Sequence, residues 1–173
     1  MVYLGGTAPG ANIELHDIRF VVAPSIEAAY PALKKQWFGD RSSVHIDSYM
    51  HVHHVDGYRV ELVPQSQLQQ SDSSVSRKKL YFVNFGGYFP GNMAEFHDFT
   101  LVVAESAQQA RALAKNKVSQ QLLANAEQFH KDDLLEVDDC LQLDLLDGHQ
   151  VVLHHDGQEQ IISPDWKGYQ PIP

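Results

Sequence analysis

A single cysteine, Cys140, stands in the whole chain, so no internal disulfide can form and a reducing compartment suits the protein. It lies between Asp139 and Leu141, where the neighbouring acid disfavours a thiolate, so the thiol reads as quiet. Basic residues are scarce as well: 13 Lys and Arg stand against 22 Asp and Glu, a net charge of -9. A surface of that sign repels nucleic-acid backbones and anionic membranes. The one basic run, Arg77-Lys78-Lys79, is too short for a binding stripe. No apolar run approaches membrane-spanning length. No basic segment leads into an apolar one at the start, so no signal peptide is read and the expected address is the cytoplasm. Gly-x-Ser-x-Gly, His-Glu-x-x-His and Cys-x-x-Cys are all missing, and no Ser-His-Asp or Cys-His arrangement can be argued. A catalytic reading therefore lacks a nucleophile and a defined metal, and no cofactor is implied.

What is present is one domain's worth of material, or two small ones: 173 residues, 43% of them apolar. The main feature is a repeat. Gly10 to Ala23 reads GANIELHDIRFVVA, and Gly91 to Ala104 reads GNMAEFHDFTLVVA. At an offset of 81, ten of the twenty positions from Leu4 to Ala23 are identical to Phe85 to Ala104 without a gap. The shared residues are Gly-Gly, Pro-Gly, Glu-x-His-Asp and Val-Val-Ala. Further on the offset becomes 91, where Asp56-Gly57 with Val60 and Leu62 meets Asp147-Gly148 with Val151 and Leu153. Repeat two thus carries a ten-residue insertion around Val118 to His130. The reading places repeat one at 1–63, a flexible polar linker at 64–78, repeat two at 79–155 and a tail packed on the body at 156–173. Two copies of this period are not a solenoid. They predict an internal duplication packed as a pseudo-dimer.

Each repeat reads β-β-α-β-β, an α+β fold with mixed sheets, each with a helix on one face. Leu80 to Phe85 is a continuous apolar run, a strand buried on both faces, and its counterpart begins at Met1 and is shorter. Ile18 to Ala23 and Phe99 to Ala104 are β-branched and aromatic, hence strands. Ser25 and Ser106 are helix N-caps, the latter with Gln109 completing a capping box. Ile26, Ala29, Tyr30, Leu33 and Trp37 form a helical stripe that Gly39 stops, and Pro31 inside it predicts a kink or a late start. Val44 to Val52 and Leu135 to Leu145 alternate up to hairpins at Asp56-Gly57 and Asp147-Gly148. Strand, helix, strand implies a parallel, right-handed crossover within each sheet.

These motifs carry a resemblance. Tyr3-Leu4-Gly5-Gly6, Pro9 to Asp17, Phe20-Val21-Val22-Ala23, Trp37-Phe38-Gly39, His45-Ile46-Asp47-Ser48-Tyr49 and Val55-Asp56-Gly57-Tyr58 resemble the bacterial family called domain of unknown function 1543. Repeat two departs from the pattern: Trp37-Phe38-Gly39 has no clear counterpart, and His149 stands in place of Tyr58. The resemblance implies one or two copies of the domain per chain and a bacterial cytosolic origin. It implies no activity.

The candidate site residues are Glu14, His16 and Asp17 with Glu95, His97 and Asp98, together with the glycines Gly10 and Gly91 of the preceding loops. Strand alternation puts Glu14 and His16 with Ile18, Phe20 and Val22, and Glu95 and His97 with Phe99, Leu101 and Val103. Each Glu and His then sits at the mouth of an apolar face, while Asp17 and Asp98 point the other way. Such a pair either satisfies loop groups or works as a carboxylate–imidazole couple, for acid–base chemistry or as half of a metal site. About a two-fold axis, His16 and His97 could converge with Glu14 and Glu95; the metal, if any, stays unknown. The Gly-Gly to Pro-Gly loops resemble neither a P-loop nor a dinucleotide fingerprint. His51 and His53 share a strand face with His45 and Asp47 in the alternation, and this stretch and His154-His155 read as a solvated outer face. The aromatic, proline-rich tail reads as an extended segment draped over the body, or else a docking arm.

The leading reading is a non-catalytic module that binds a small molecule or a protein at a pseudo-two-fold site. A metal-dependent hydrolytic enzyme using the paired motifs is the second, and a purely structural pairing domain the third. The expected partners are a small molecule or a protein, with no nucleic acid and no membrane. The chain would be a monomer with internal pseudo-symmetry or a homodimer.

Overall fold

The structure is a computed structural model and describes residues 1–67, 77–88, 91–125 and 136–173. The chain divides into two compact units, 1–52 with 146–149 and 161–173, and 53–145 with 150–160. The class is the expected one, α+β with one helix in each repeat, and the strands form three sheets.

In the first unit, β1 (Val2–Gly6) is the axis of a sheet whose order is completed by β2 (Leu15–Arg19), β3 (His45–Tyr49) and β11 (Trp166–Pro171), as β11-β3-β1-β2. Both β2 and β3 pair antiparallel with β1, so they run parallel to each other with β1 between them. The crossover through helix α1 (Ile26–Gln36) therefore joins parallel strands, but every pairing resolved around it is antiparallel. The mixed ladder expected from the sequence is absent there because β1, the strand before the crossover, is inserted between the two. The tail adds β11 along β3 and sends Ile172 into the core.

Apolar residues spaced by one helical turn put α1 on this sheet. Ala29, Leu33 and Trp37 are buried against Val2, Leu4, Val44 and Ile46. The Ser25 hydroxyl caps the helix by accepting from the Ala28 N–H, so α1 starts on time despite Pro31, whose ring lies on the exposed side. The helix ends where Trp37 turns extended, not at Gly39. Gly39 instead allows a close backbone approach. Asp40 N–H donates to the Thr7 carbonyl at 2.8 Å, and a Cβ at Gly39 would overlap that carbonyl.

The second unit repeats the plan around β6 (Lys79–Gly87), flanked antiparallel by β7 (Phe96–Ala104) and β8 (Glu136–Gln142). Helix α2 (Ala107–Asn125) is longer than α1 and takes up part of the insertion; residues 126–130 of that insertion lie outside the described residues. Ala110, Ala114 and Val118 pack on Tyr81, Val83, Phe85, Val102 and Ala104. The Ser106 hydroxyl accepts from the Gln109 N–H, the expected N-cap, while the Gln109 side chain reaches back one residue further than the expected capping box and accepts from the Glu105 N–H. The strand before α2 begins at Phe96, and β2 covers Leu15 to Arg19, so both start earlier than the Ile18 and Phe99 expected. β2 also ends at Arg19, well short of Ala23.

A third sheet has the order β4-β5-β10-β9, from β4 (His54–Val55), β5 (Tyr58–Pro64), β9 (Leu145–Leu146) and β10 (His149–His155). Both Asp-Gly pairs are two-residue turns with positive φ throughout: 50° and 79° at Asp56 and Gly57, 47° and 76° at Asp147 and Gly148. The alternating stretch Val44 to Val52 is not one strand. β3 stops at Tyr49, and the chain passes from the first unit to the second after Val52. The expected linker begins inside structure, since β5 includes Pro64 and Gln65–Gln67 form a 3-10 turn; residues 68–76 lie outside the described residues.

The two turns are exchanged between the halves of the sequence. Asp56, from repeat one, belongs to the second unit, where its carboxylate accepts from Val103 N–H at 2.8 Å and from Lys117 Nζ at 2.9 Å. Asp147, from repeat two, belongs to the first unit and accepts from Val22 N–H at 2.9 Å. Val22 and Val103 are equivalent positions of the repeat. Asp56→Ala removes the acceptor and strains a left-handed residue, so the urea midpoint should fall by the equivalent of about 1–3 kcal/mol. Asp56→Asn keeps an acceptor and should lose less; equal losses for the two would contradict this role for the carboxyl.

Candidate functional site

The register of the first sheet builds the site. Gly5 of β1 pairs with His16 on one side and His45 on the other. Leu4, one residue earlier, pairs with Asp17 and Ile46. Leu4 and Ile46 are core residues under α1, so His16, Gly5 and His45 form a row on the opposite face. Asp47 follows on β3 on that same face, and Glu14 leads into β2.

Four side chains meet over Gly5. His16 Nε2 lies 3.5 Å from Glu14 Oε2 and 3.3 Å from Asp47 Oδ2. His45 Nε2 lies 3.2 Å from Glu14 Oε1 and 3.3 Å from Asp47 Oδ1. The His45 side chain is only 3% exposed, and its Nδ1 is 3.1 Å from the Ser43 carbonyl. Asp47 Oδ2 is sealed from solvent and makes no hydrogen bond, despite the nearby imidazole. Tyr3 stacks on His16 with centroids 5.3 Å apart, and Tyr169 lies against His45 at 4.3 Å. Burial, then the Asp47 and Asp17 charges, push the Tyr3 phenol above its ordinary value. A Cβ at Gly5 would overlap His45 Nε2 and come within 2.9 Å of Asp47 Oδ2, which explains the first glycine of the repeated Gly-Gly.

The second unit keeps most of this. Gly86 pairs with His97 and with Glu136. His97 Nε2 is 3.6 Å from Glu95 Oε2, and its Nδ1 is 3.4 Å from Asp138 Oδ2. A Cβ at Gly86 would come within 2.7 Å of both Glu95 and Asp138. Glu136 stands where His45 stands in repeat one, and Asn84 where Tyr3 does. Asn84 Nδ2 donates to Asp138 Oδ2 at 3.2 Å. Each Glu-x-His therefore finds its partners within its own unit.

Asp17 and Asp98 do point away from Glu and His, but towards the helix side. This corrects the expected apolar face: in repeat one Leu15, Val21 and Ala23 are the residues packed on the α1 core, not Ile18, Phe20 and Val22. In repeat two β7 is apolar on both faces, so alternation alone does not choose between them. Asp17 is held by Arg19, whose guanidinium also reaches the Gln36 carbonyl at 3.4 Å and lies over the Phe38 ring. In repeat two Thr100 replaces that arginine, and among the described residues Asp98 has no ion pair. Burial raises the Asp98 carboxyl above its ordinary value, against its bond from the Phe99 N–H.

Gly10 and Gly91 are left-handed turn residues, φ 83° and 85°, with open space around them. Phe89 and Pro90, in the second of these loops, lie outside the described residues. The histidine-rich stretch does not form one face: His51 pairs its N–H with Asp165 in the first unit, and His54 meets Asp156 at 3.1 Å in the second. His45 and Asp47 belong instead with Glu14 and His16. The sequence signal for this grouping is the offset of 91 carried back to Asp47, which falls on Asp138. Burial is the main cause that pushes the Cys140 thiol up, with Asp139 adding less. Among the described residues no group of three or more His, Cys, Asp or Glu is arranged to hold a metal ion, and no helix is long and apolar enough to cross a membrane.

Fold and site together define a class: a duplicated α+β chain with a His–carboxylate cluster beside the central strand of each repeat. The chain belongs to the DUF1543 family, a Domain of Unknown Function, whose family model matches residues 11–62 and 92–153. Among solved structures it is similar to the crystal structure of a protein Il1583 from Idiomarina loihiensis. The two are 49% identical with a TM-score of 0.75, over 99% of this chain and 95% of that one. None of the curated proteins matches it.

Asp98→Asn tests the electrostatics of the helix side. A carboxyl raised in the folded state favours folding while protonated, and that contribution is lost as pH rises through the carboxylate range. The amide mimics the protonated acid, so the variant should melt above wild type at neutral pH and level with it near about pH 3. A variant that melts lower at both pH values contradicts a carboxyl held above its ordinary range by burial.

Proposed function

We propose that this protein is a non-catalytic binding module, with its ligand contacts at the His–carboxylate clusters around Glu14–His16 and Glu95–His97. The observation that carries the reading is the row His16–Gly5–His45, in which His45 is buried and His16 is exposed. It collects acceptor atoms on the face away from the core, where packing does not call for them. Asp17 and Asp98 act as supports under the helices, outside the contact set, and Gly10 and Gly91 shape the loops that carry Glu14 and Glu95. A cytosolic, bacterial protein arranged as an internal pseudo-dimer is the setting that fits the low cysteine content and the duplication. The metal-dependent hydrolytic reading is not adopted, because Glu14 with His16 and Glu95 with His97 each find their partners in their own repeat, and among the described residues no group is arranged to hold a metal ion.

The exchange of Asp56 and Asp147 favours a second reading, in which the duplication serves pairing of the halves alone. The two separate in a thermal-shift screen of small amines, carboxylates, sugars and nucleotides on wild type, Glu14→Gln and His16→Ala. Binding predicts compounds that raise the wild-type melting temperature and fail to do so in the variants. If no compound acts and the variants only melt earlier, the clusters are structural locks and the pairing reading stands.

A further inference from the structure

The two repeats differ at one end of their central strands. β6 begins at Lys79, and its ladder with β7 includes the pairs Tyr81–Val102, Leu80–Val103 and Lys79–Ala104. β1 begins at Val2, and its ladder with β2 ends at the pair Val2–Arg19. Among the described residues, therefore, no strand runs beside Val21 and Ala23, the equivalents of Val102 and Ala104. The Val22 N–H turns to Asp147, as the Val103 N–H turns to Asp56. Strand alternation then turns the main-chain groups of Val21 and Ala23 the other way, towards the open side. Among the described residues those groups make no hydrogen bond.

Side chains mark the same place. In repeat two the Tyr81 ring is buried with Val83, Val102, Ala104 and Ala110, and Ala107 and Cys140 pack on that group. The Tyr81 hydroxyl donates to Gln142 Oε1 at 3.0 Å. The corresponding residues of repeat one, Val21, Ala23, Ile26, Ala29 and Tyr49, line an open cleft of about 320 Å³. His51, at the position of Gln142, stands in its wall. Ile26 and Tyr49 are larger than Ala107 and Cys140 and take part of the space. What remains is of a size that holds a small ligand.

We infer that repeat one binds a small molecule bearing a tyrosyl group, a phenol ring joined to amides, in this cleft. The ring takes the place that Tyr81 fills in repeat two, and burial of its apolar faces against Val21, Ala23 and Ala29 drives it in. Its amides meet the main chain of Val21 and Ala23, as β6 meets Val102 and Ala104. Its hydroxyl meets His51, as that of Tyr81 meets Gln142. The cleft lies on the helix side of the sheet, at the far end of β1 from Gly5, so this site is separate from the His–carboxylate cluster and stands independently of it.

The test titrates the full chain at neutral pH with N-acetyl-L-tyrosinamide, followed in the amide proton–nitrogen spectrum. The expected result is saturable movement of Val21, Ala23 and Ala29, with Val102, Ala104 and Ala110 unmoved. N-acetyl-L-phenylalaninamide lacks the hydroxyl and should bind roughly fivefold more weakly, a preference that His51→Ala should erase. Ile26→Trp fills the cleft from the first turn of α1 and should abolish binding. No movement up to about 10 mM, or an unchanged affinity in folded Ile26→Trp, overturns the proposal. N-acetyl-L-leucinamide binding as tightly as the tyrosinamide, or a hydroxyl preference that survives in His51→Ala, does the same. Binding of acetyl-Lys-Leu-Tyr-amide, the sequence of 79–81, without binding of the tyrosinamide would assign the cleft to a peptide strand and overturn the small-molecule assignment.

Discussion

A side chain at Gly5 would displace the polar cluster built over it. The imidazole of His45 occupies the volume a Cβ would need, and Asp47 closes the space from the other direction. The same holds at Gly86 with Asp138 and Glu95. These two glycines sit on the central strands, each paired on both sides. The hollow over each glycine lets polar side chains fold flat against the backbone and meet one another. Pairing register then decides which ones meet: His16 and His45 across Gly5, His97 and Glu136 across Gly86.

From that arrangement the division of labour within Glu-x-His-Asp follows. Successive strand residues alternate in direction, so Glu and His go to the glycine hollow and Asp goes under the helix. Beneath α1, Asp17 is neutralised by Arg19; beneath α2, Asp98 has no ion pair among the described residues, and burial raises its carboxyl. Duplication copied the motif into both repeats. Substitution then changed its neighbours, with Thr100 for Arg19, Glu136 for His45 and Asn84 for Tyr3. The differences touch the polar contacts and leave the frame alone.

Much of the frame is legible in the sequence. The duplication, the helix caps at Ser25 and Ser106 and the two Asp-Gly turns each depend on local chemistry, and local chemistry is written locally. The exchange of those turns between units is not legible, because a turn of the same sequence forms wherever its flanking strands pair. Alternation misjudges the face carrying Glu14 and His16, since Ile18, Phe20 and Val22 look as apolar as Leu15, Val21 and Ala23; only the pairing of Leu4 with Asp17 separates them. Alternation also groups His45 and Asp47 with His51 and His53, which fails once β3 ends at Tyr49. Half of the cluster thus stands in the repeated motif. The other half arrives from β3 through sheet register, a long-range property that a linear pattern does not carry.

The central claim is that two clusters of common descent are built in the hollows over Gly5 and Gly86, each within its own repeat. The imidazole proton–nitrogen spectrum of Gly5→Ala in the full chain addresses this most directly. The account predicts that the His45 signals move, because a Cβ at Gly5 takes the place of that ring, while those of His97 stay. Unmoved His45 signals in the folded variant would contradict it.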